Sequence, residues 1–190
     1  MERKYIIEQD FSEIKGPEVI VKSIKETEGK EYLNNGQITD FDFIFEMRSR
    51  TFLGDFIENG HYLIVSDKLK KIIKDKDVLF YPLKVYLYIL DQKDVVINEK
   101  LYNNYFLMQP KTDQILDIEK SDIKWVVKNK IISKINKMEV YSLKFENNKL
   151  LRMEEKKSIV IVTESLKHTI SENDIQGIKF ISTEEYRPWP

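Results

Sequence analysis

The run Tyr62-Leu63-Ile64-Val65-Ser66-Asp67-Lys68-Leu69-Lys70-Lys71-Ile72-Ile73 leaves little freedom in local structure. Four apolar residues lead into Ser66, and Leu69, Ile72 and Ile73 then recur at the i, i+3, i+4 spacing of one helix face. A serine at that junction is a natural N-cap, since its hydroxyl can accept a hydrogen bond from an unpaired first-turn N–H. Asp67 adds negative charge where the helix dipole favours it. The stretch predicts a buried strand feeding directly into an amphipathic helix. The same grammar returns in Ile159-Val160-Ile161-Val162-Thr163-Glu164-Ser165-Leu166-Lys167-His168-Thr169-Ile170, with cap and apolar positions matching at an offset of 97 residues. Units 62–75 and 159–171 are therefore expected to be similar strand–cap–helix elements.

Strand signals dominate the rest. Tyr5-Ile6-Ile7 and Glu18-Val19-Ile20-Val21-Lys22 suggest short strands, and Phe41, Phe43, Phe45 and Met47 alternate with Asp42, Ile44, Glu46 and Arg48, one face apolar and the other mostly charged, as in a strand with one face on the core. Phe52–Gly60 reads as a short helix or turn. Val78–Leu90 is apolar on both faces, as in a strand buried on both sides, with Pro82 expected at its entry or edge because proline cannot donate to a ladder. Tyr102–Met108, Gln114–Ile118, Ile123–Val127, Ile131–Ile135, Val140–Phe145, Leu150–Met153 and Gly177–Ile181 are further strands, with hairpin turns at Lys128-Asn129-Lys130 and Asn147-Asn148. The expected fold class is α+β, a mostly antiparallel sheet with a few short helices. With no Pro- or Ser-rich linker, residues 1–190 are expected to form one domain.

Composition removes several functions. The chain has no cysteine, so disulfides, thiolate metal sites and cysteine nucleophiles are out. Six glycines and no glycine-rich phosphate loop argue against nucleotide cradles, and two histidines, His61 and His168, cannot build a His-rich metal site. No apolar run suits a signal peptide or the roughly 20 residues of a membrane span, so the expectation is a soluble, cytoplasmic protein without a membrane partner. A net charge of −1 likewise gives no reason to expect nucleic acid. Charge is uneven: residues 1–67 hold 8 basic and 14 acidic side chains, a net of −6.

Chemistry has few candidates. Asp40/Asp42 and Asp117/Glu119 are i, i+2 pairs that would share a strand face and could hold a hard cation or divide acid and base roles. Arg48 and Arg50 could clamp a phosphate. A polar strand face and surface charge are the plainer readings. Trp125 is expected in the core, and Trp189 as a strap or tail.

Gly54-Asp55-Phe56 followed by Tyr62–Leu69 resembles the middle of a bacterial family of immunity proteins from polymorphic-toxin systems, once catalogued as a domain of unknown function. Tyr105-Phe106-Leu107-Met108-Gln109-Pro110, Leu116-Asp117-Ile118-Glu119-Lys120-Ser121, Ile159–Leu166, Gly177–Ile181 and Glu184-Glu185-Tyr186 fit in the same order, so the resemblance spans about residues 54–186. It implies a protein that binds and neutralises a cognate toxin, without catalysis, cofactor or metal. The acidic first third would suit a basic toxin face, with Asp40, Asp42, Asp55, Glu58 and Trp189 as partner-binding residues. The alternatives are a small nucleotide- or metal-dependent enzyme using its carboxylates, and a scaffold that self-associates through a sheet edge.

Overall fold

The structure is a computed structural model that describes residues 2–10, 43–49, 53–59, 62–91, 93, 95–128, 131–145 and 149–186. In chain order the described elements are β1 (Lys4–Gln9), β2 (Phe43–Ser49), β3 (Phe56–Asn59), β4 (Tyr62–Ser66), α1 (Asp67–Ile72), β5 (Val78–Leu90), β6 (Val96–Pro110), β7 (Thr112–Asp113), β8 (Asp122–Val127), β9 (Ile131–Lys137), a 3-10 turn (Ser142–Lys144), β10 (Leu150–Met153), β11 (Val160–Thr163), α2 (Glu164–Ser171) and β12 (Ile178–Ser182). The expected strand at Glu18–Lys22 lies outside the described residues.

Strands form two five-stranded sheets, β12-β1-β11-β10-β7 and β2-β5-β6-β4-β3, and a separate ribbon, β8-β9. Pairing is antiparallel except between β2 and β5 and between β10 and β7. The fold is thus sheet-rich and mostly antiparallel α+β, with its strands divided among three sheets.

Both large sheets are apolar on both faces. Tyr5 and Ile7 of β1, Val160 and Val162 of β11, and Leu150 of β10 enter a central cluster, whereas Ile6, Ile161, Leu151 and Met153 enter a second cluster on the opposite face. In the other sheet, Phe56, Leu63, Val65 and Met108 face the central cluster, and Ile57, Ile64, Leu83, Val85 and Leu87 a third. This two-sided burial is why Tyr62–Val65 and Ile159–Val162 read as unbroken apolar runs.

The helices complete the central layer with Leu69 and Ile73 beside α1 and Leu166 and Ile170 on α2. Each starts where a hydroxyl is available: Ser66 Oγ accepts from Leu69 N at 3.2 Å, and Thr163 Oγ1 from Leu166 N at 3.4 Å. Each also lays a lysine over an aromatic ring, Lys70 Nζ 3.6 Å from the Phe106 centroid and Lys167 Nζ 3.9 Å from that of Tyr5.

Several expectations fail for physical reasons. Within the segment Phe52–Gly60, whose ends lie outside the described residues, Phe56–Asn59 is the strand β3 rather than a helix or turn, with Phe56 and Ile57 buried in clusters on opposite faces. Gln114–Ile118 and Val140–Phe145 are not strands. They share one isolated bridge, Leu116–Val140, since Asp117 bends the chain by accepting from Lys120 N and the second segment tightens into the 3-10 turn. Trp125 is half-buried on the ribbon and belongs to no core cluster. On β5, Leu83, Val85 and Leu87 are buried while Tyr86 and Tyr88 are half-exposed, so burial is one-sided there. Pro82 lies inside β5 rather than at its entry, opposite Phe106 of β6, and among the described residues the pairing of β2 with β5 begins one residue later, at Leu83. Among the described residues no helix is long and apolar enough to cross a membrane.

Leu69 has no solvent exposure and sits where both sheets and both helices converge. Leu69→Ala is expected to cost about 2–5 kcal/mol in urea denaturation, against less than about 0.5 kcal/mol for Leu101→Ala on the exposed part of β6.

Candidate functional site: the polar node in the cleft between the helices

The cap of α1 is part of a larger polar node. Asp55, just before β3, donates its N–H to Gln176 O at 2.9 Å, and its carbonyl accepts Ser66 N at 2.9 Å. Its carboxylate accepts Ser66 Oγ through one oxygen and Gln176 N, at 3.0 Å, through the other. Gln176 precedes Gly177, whose φ of 77° suits a residue without a Cβ and whose carbonyl accepts Asp10 N at 3.0 Å. Asp55 therefore joins the start of α1 to the turn entering β12, in the other sheet.

A cleft of about 790 Å³ opens beside this node, its walls including Asp55, Ser66, Lys68, Lys71, Tyr105 and Asn173. Tyr105 is buried and donates its hydroxyl to Gly54 O at 3.0 Å. Burial, and secondarily the Asp55 charge, push its phenol well above the ordinary range. Lys71 pairs with Asp67 at 2.5 Å, and Lys68 donates to the carbonyl of Asp174, a residue at φ 47°. Ser66 donates to a carboxylate and accepts from a helix amide, the arrangement of a cap rather than of an activated nucleophile. Both lysines are thus engaged by carboxylates within the chain, Lys71 by Asp67 and Lys68 by Asp174.

Of the residues singled out as partner-binding, Asp55 is this node. Glu58 lies on β3, with its N–H donating to Gln9 Oε1 at 3.0 Å. Burial raises its carboxyl above the ordinary value, and the Glu8 charge adds to this. The Gln9 amide, Arg152 and Lys179 oppose the shift. Asp40, Asp42 and Trp189 lie outside the described residues, as do Arg50 and His61. Asp117 and Glu119 do not share a strand face. Asp117 is buried and held below the usual carboxylate range by Lys120, 3.0 Å away, while Glu119 is exposed on the turn. His168 is exposed on α2. Among the described residues no three His, Asp or Glu side chains form a group that could hold a metal ion. Sequence reasoning found Asp55 and Ser66 separately but not Gln176 or Gln9, whose amides carry no pattern that marks a partner so distant in the chain.

The sequence profile of the immunity protein family Imm11 matches residues 3–185. No curated protein matches the chain significantly.

Asp55→Ala is expected to cost about 1–3 kcal/mol by leaving the Gln176 N–H and Ser66 hydroxyl short of an acceptor. Ser66→Ala should cost about 1 kcal/mol, and the double variant less than the sum, because the two share one hydrogen bond. Urea denaturation of the four proteins tests this. For Glu58 the folded-state value is raised, so the folded protein binds the proton more tightly, and stability falls as pH rises from the ordinary value of 4.5 through the raised one. Glu58→Gln is expected to gain stability over the parent at pH 7, and the gap should close as denaturation is repeated down to that ordinary value.

Proposed function

This chain belongs to the Imm11 immunity protein family, and we propose that it binds a cognate protein toxin and blocks it without chemistry of its own. The observation that carries this reading is the extent of the match: residues 3–185 include every described strand and both helices. A non-catalytic role draws support from the polar side chains themselves. Ser66, Asp55 and Asp117 are engaged in internal hydrogen bonds that build local structure. Under this reading the protein acts in the cytoplasm.

We read residues 1–190 as one domain with units 62–75 and 159–171 as a pseudo-repeat. Supporting this, Val65/Val162, Ser66/Thr163, Leu69/Leu166, Lys70/Lys167 and Ile73/Ile170 all fall at the offset of 97. The apolar members meet in one cluster, the hydroxyls cap, and the lysines cover aromatic rings.

The test is a pull-down of the tagged chain from its native host while the toxin is produced, with mass spectrometry of what is bound. The expected result is a stoichiometric partner whose C-terminal domain arrests growth when expressed alone and not when co-expressed with this chain. Recovery of the bait alone, with the toxin demonstrably present, overturns the reading.

A further inference from the structure

The geometry points to the β8–β9 ribbon as the element that docks the toxin, and to a toxin face that is acidic around an apolar centre. This inference rests on the toxin-binding reading above and adds to it the surface and the chemistry of its partner.

Among the described residues the ribbon pairs with no strand of either large sheet, although Ser133 O accepts from Lys156 Nζ at 3.3 Å. Two strands alone are marginal in water, so the ribbon needs an apolar face to lean on. Its base has one: Ile135 is fully buried, and Ile123 and Ile132 pack on the second core cluster. Asn136 Nδ2 also donates to Asp122 Oδ2 at 3.1 Å. Toward the tip the apolar residues turn outward instead. Val126 is 67% exposed, Val127 44% and Ile131 53%, with Val127 directly paired to Ile131. Three large exposed aliphatic side chains within one short ribbon, two of them a cross-strand pair, fit an interaction site better than scattered surface apolars.

Charge identifies the occupant. Residues 122–137 carry five lysines and one aspartate, a net of +4 in a chain whose total is −1. Lys124 stands directly opposite Lys134 in the ladder, a like-charged cross-strand pair that destabilises an isolated ribbon. Lys128 borders the apolar tip and is exposed. Among the described residues no carboxylate pairs with any of these three lysines. Carboxylates from another protein, placed between Lys124 and Lys134, convert that repulsion into attraction while Val126, Val127 and Ile131 supply the desolvated centre. A second copy docking ribbon to ribbon would bring two +4 segments together. The overall charge of −1 also disfavours a nucleic-acid partner.

The experiment places a photo-crosslinking amino acid at Val126 and, in separate variants, at Ile97 on β6 and His168 on α2, in full-length protein in cells producing the toxin. The expected result is an adduct from position 126 to a protein that, once purified, forms a one-to-one complex with the unmodified chain. The double variant Lys124→Glu/Lys128→Glu should then bind that protein at least about tenfold more weakly, mainly through a slower association that converges with the parent at high salt. Lys124→Gln/Lys128→Gln should fall between. Urea midpoints equal to the parent's show that these variants fold. Adducts to the partner only from 97 or 168, or unchanged binding by a folded Lys→Glu variant, overturn the ribbon assignment and leave the immunity reading intact. An adduct joining two copies of this chain at 126, or tight binding of short fluorescent oligonucleotides that the Lys→Glu variant loses, overturns it in favour of self-association or nucleic acid. No adduct from any position, with the toxin present, overturns both.

Discussion

The carboxylate of Asp55 ties together parts of the molecule that nothing nearer in the chain could join. It takes the hydroxyl proton of Ser66, so the cap that starts α1 is itself held in position, and it takes the amide of Gln176, so the turn before β12 is held against the start of β3. The peptide groups of Asp55 repeat both links through Ser66 N and Gln176 O. Four hydrogen bonds from one residue thus set where one helix begins and how the edges of two sheets meet. The neighbouring pair, Glu58 N on Gln9 Oε1, adds a further link between β3 and β1. Partly buried hydrogen bonds of this kind contribute modestly each, but losing one partner strands the others, so they specify an arrangement more than they stabilise it.

Around that seam the stability is hydrophobic. Three apolar clusters alternate with two sheets, and both helices insert into the middle one. Because a strand's side chains alternate, β1 and β11 each serve two clusters at once, and a substitution on either strand is felt on one face alone. Arg152 on β10 is one of the buried charges within this layering, with Lys4 and Asp117. It donates to Lys157 O at 2.8 Å, and burial lowers its affinity for the proton while the Glu58 charge opposes that shift.

What could be read from the sequence was what is local. Ser66 and Thr163 announce caps because their partners are three residues away, and the apolar runs before them announce strands because nearly every side chain in them is buried, Tyr62 alone being half-buried. Phe52–Gly60 misled in the opposite way: its pattern, closed by Asn59-Gly60, suggested a short helix or turn, while the burial of Phe56 and Ile57 on two faces depends on elements far along the chain. Trp125 was expected in the core because it sits inside a strand pattern, yet among the described residues its strand pairs with β9 alone and its neighbours face water. The carboxylate pair Asp117/Glu119 assumed an extended backbone that the bond from Lys120 N to Asp117 breaks. The node at Asp55 could be half anticipated, since Ser66 asks for a helix but says nothing about Gln176, 121 residues away from Asp55.

One feature of the topology bears on timing. β1 is inserted between β11 and β12, antiparallel to both, so the first described strand is flanked by the last two described strands. Until residues 178–182 have left the ribosome, Tyr5, Ile6 and Ile7 have no ladder on that side and their apolar side chains wait unburied. At synthesis rates of about 5–20 residues per second that interval is on the order of ten to forty seconds, and the closing step is a long-range strand pairing of the slow kind.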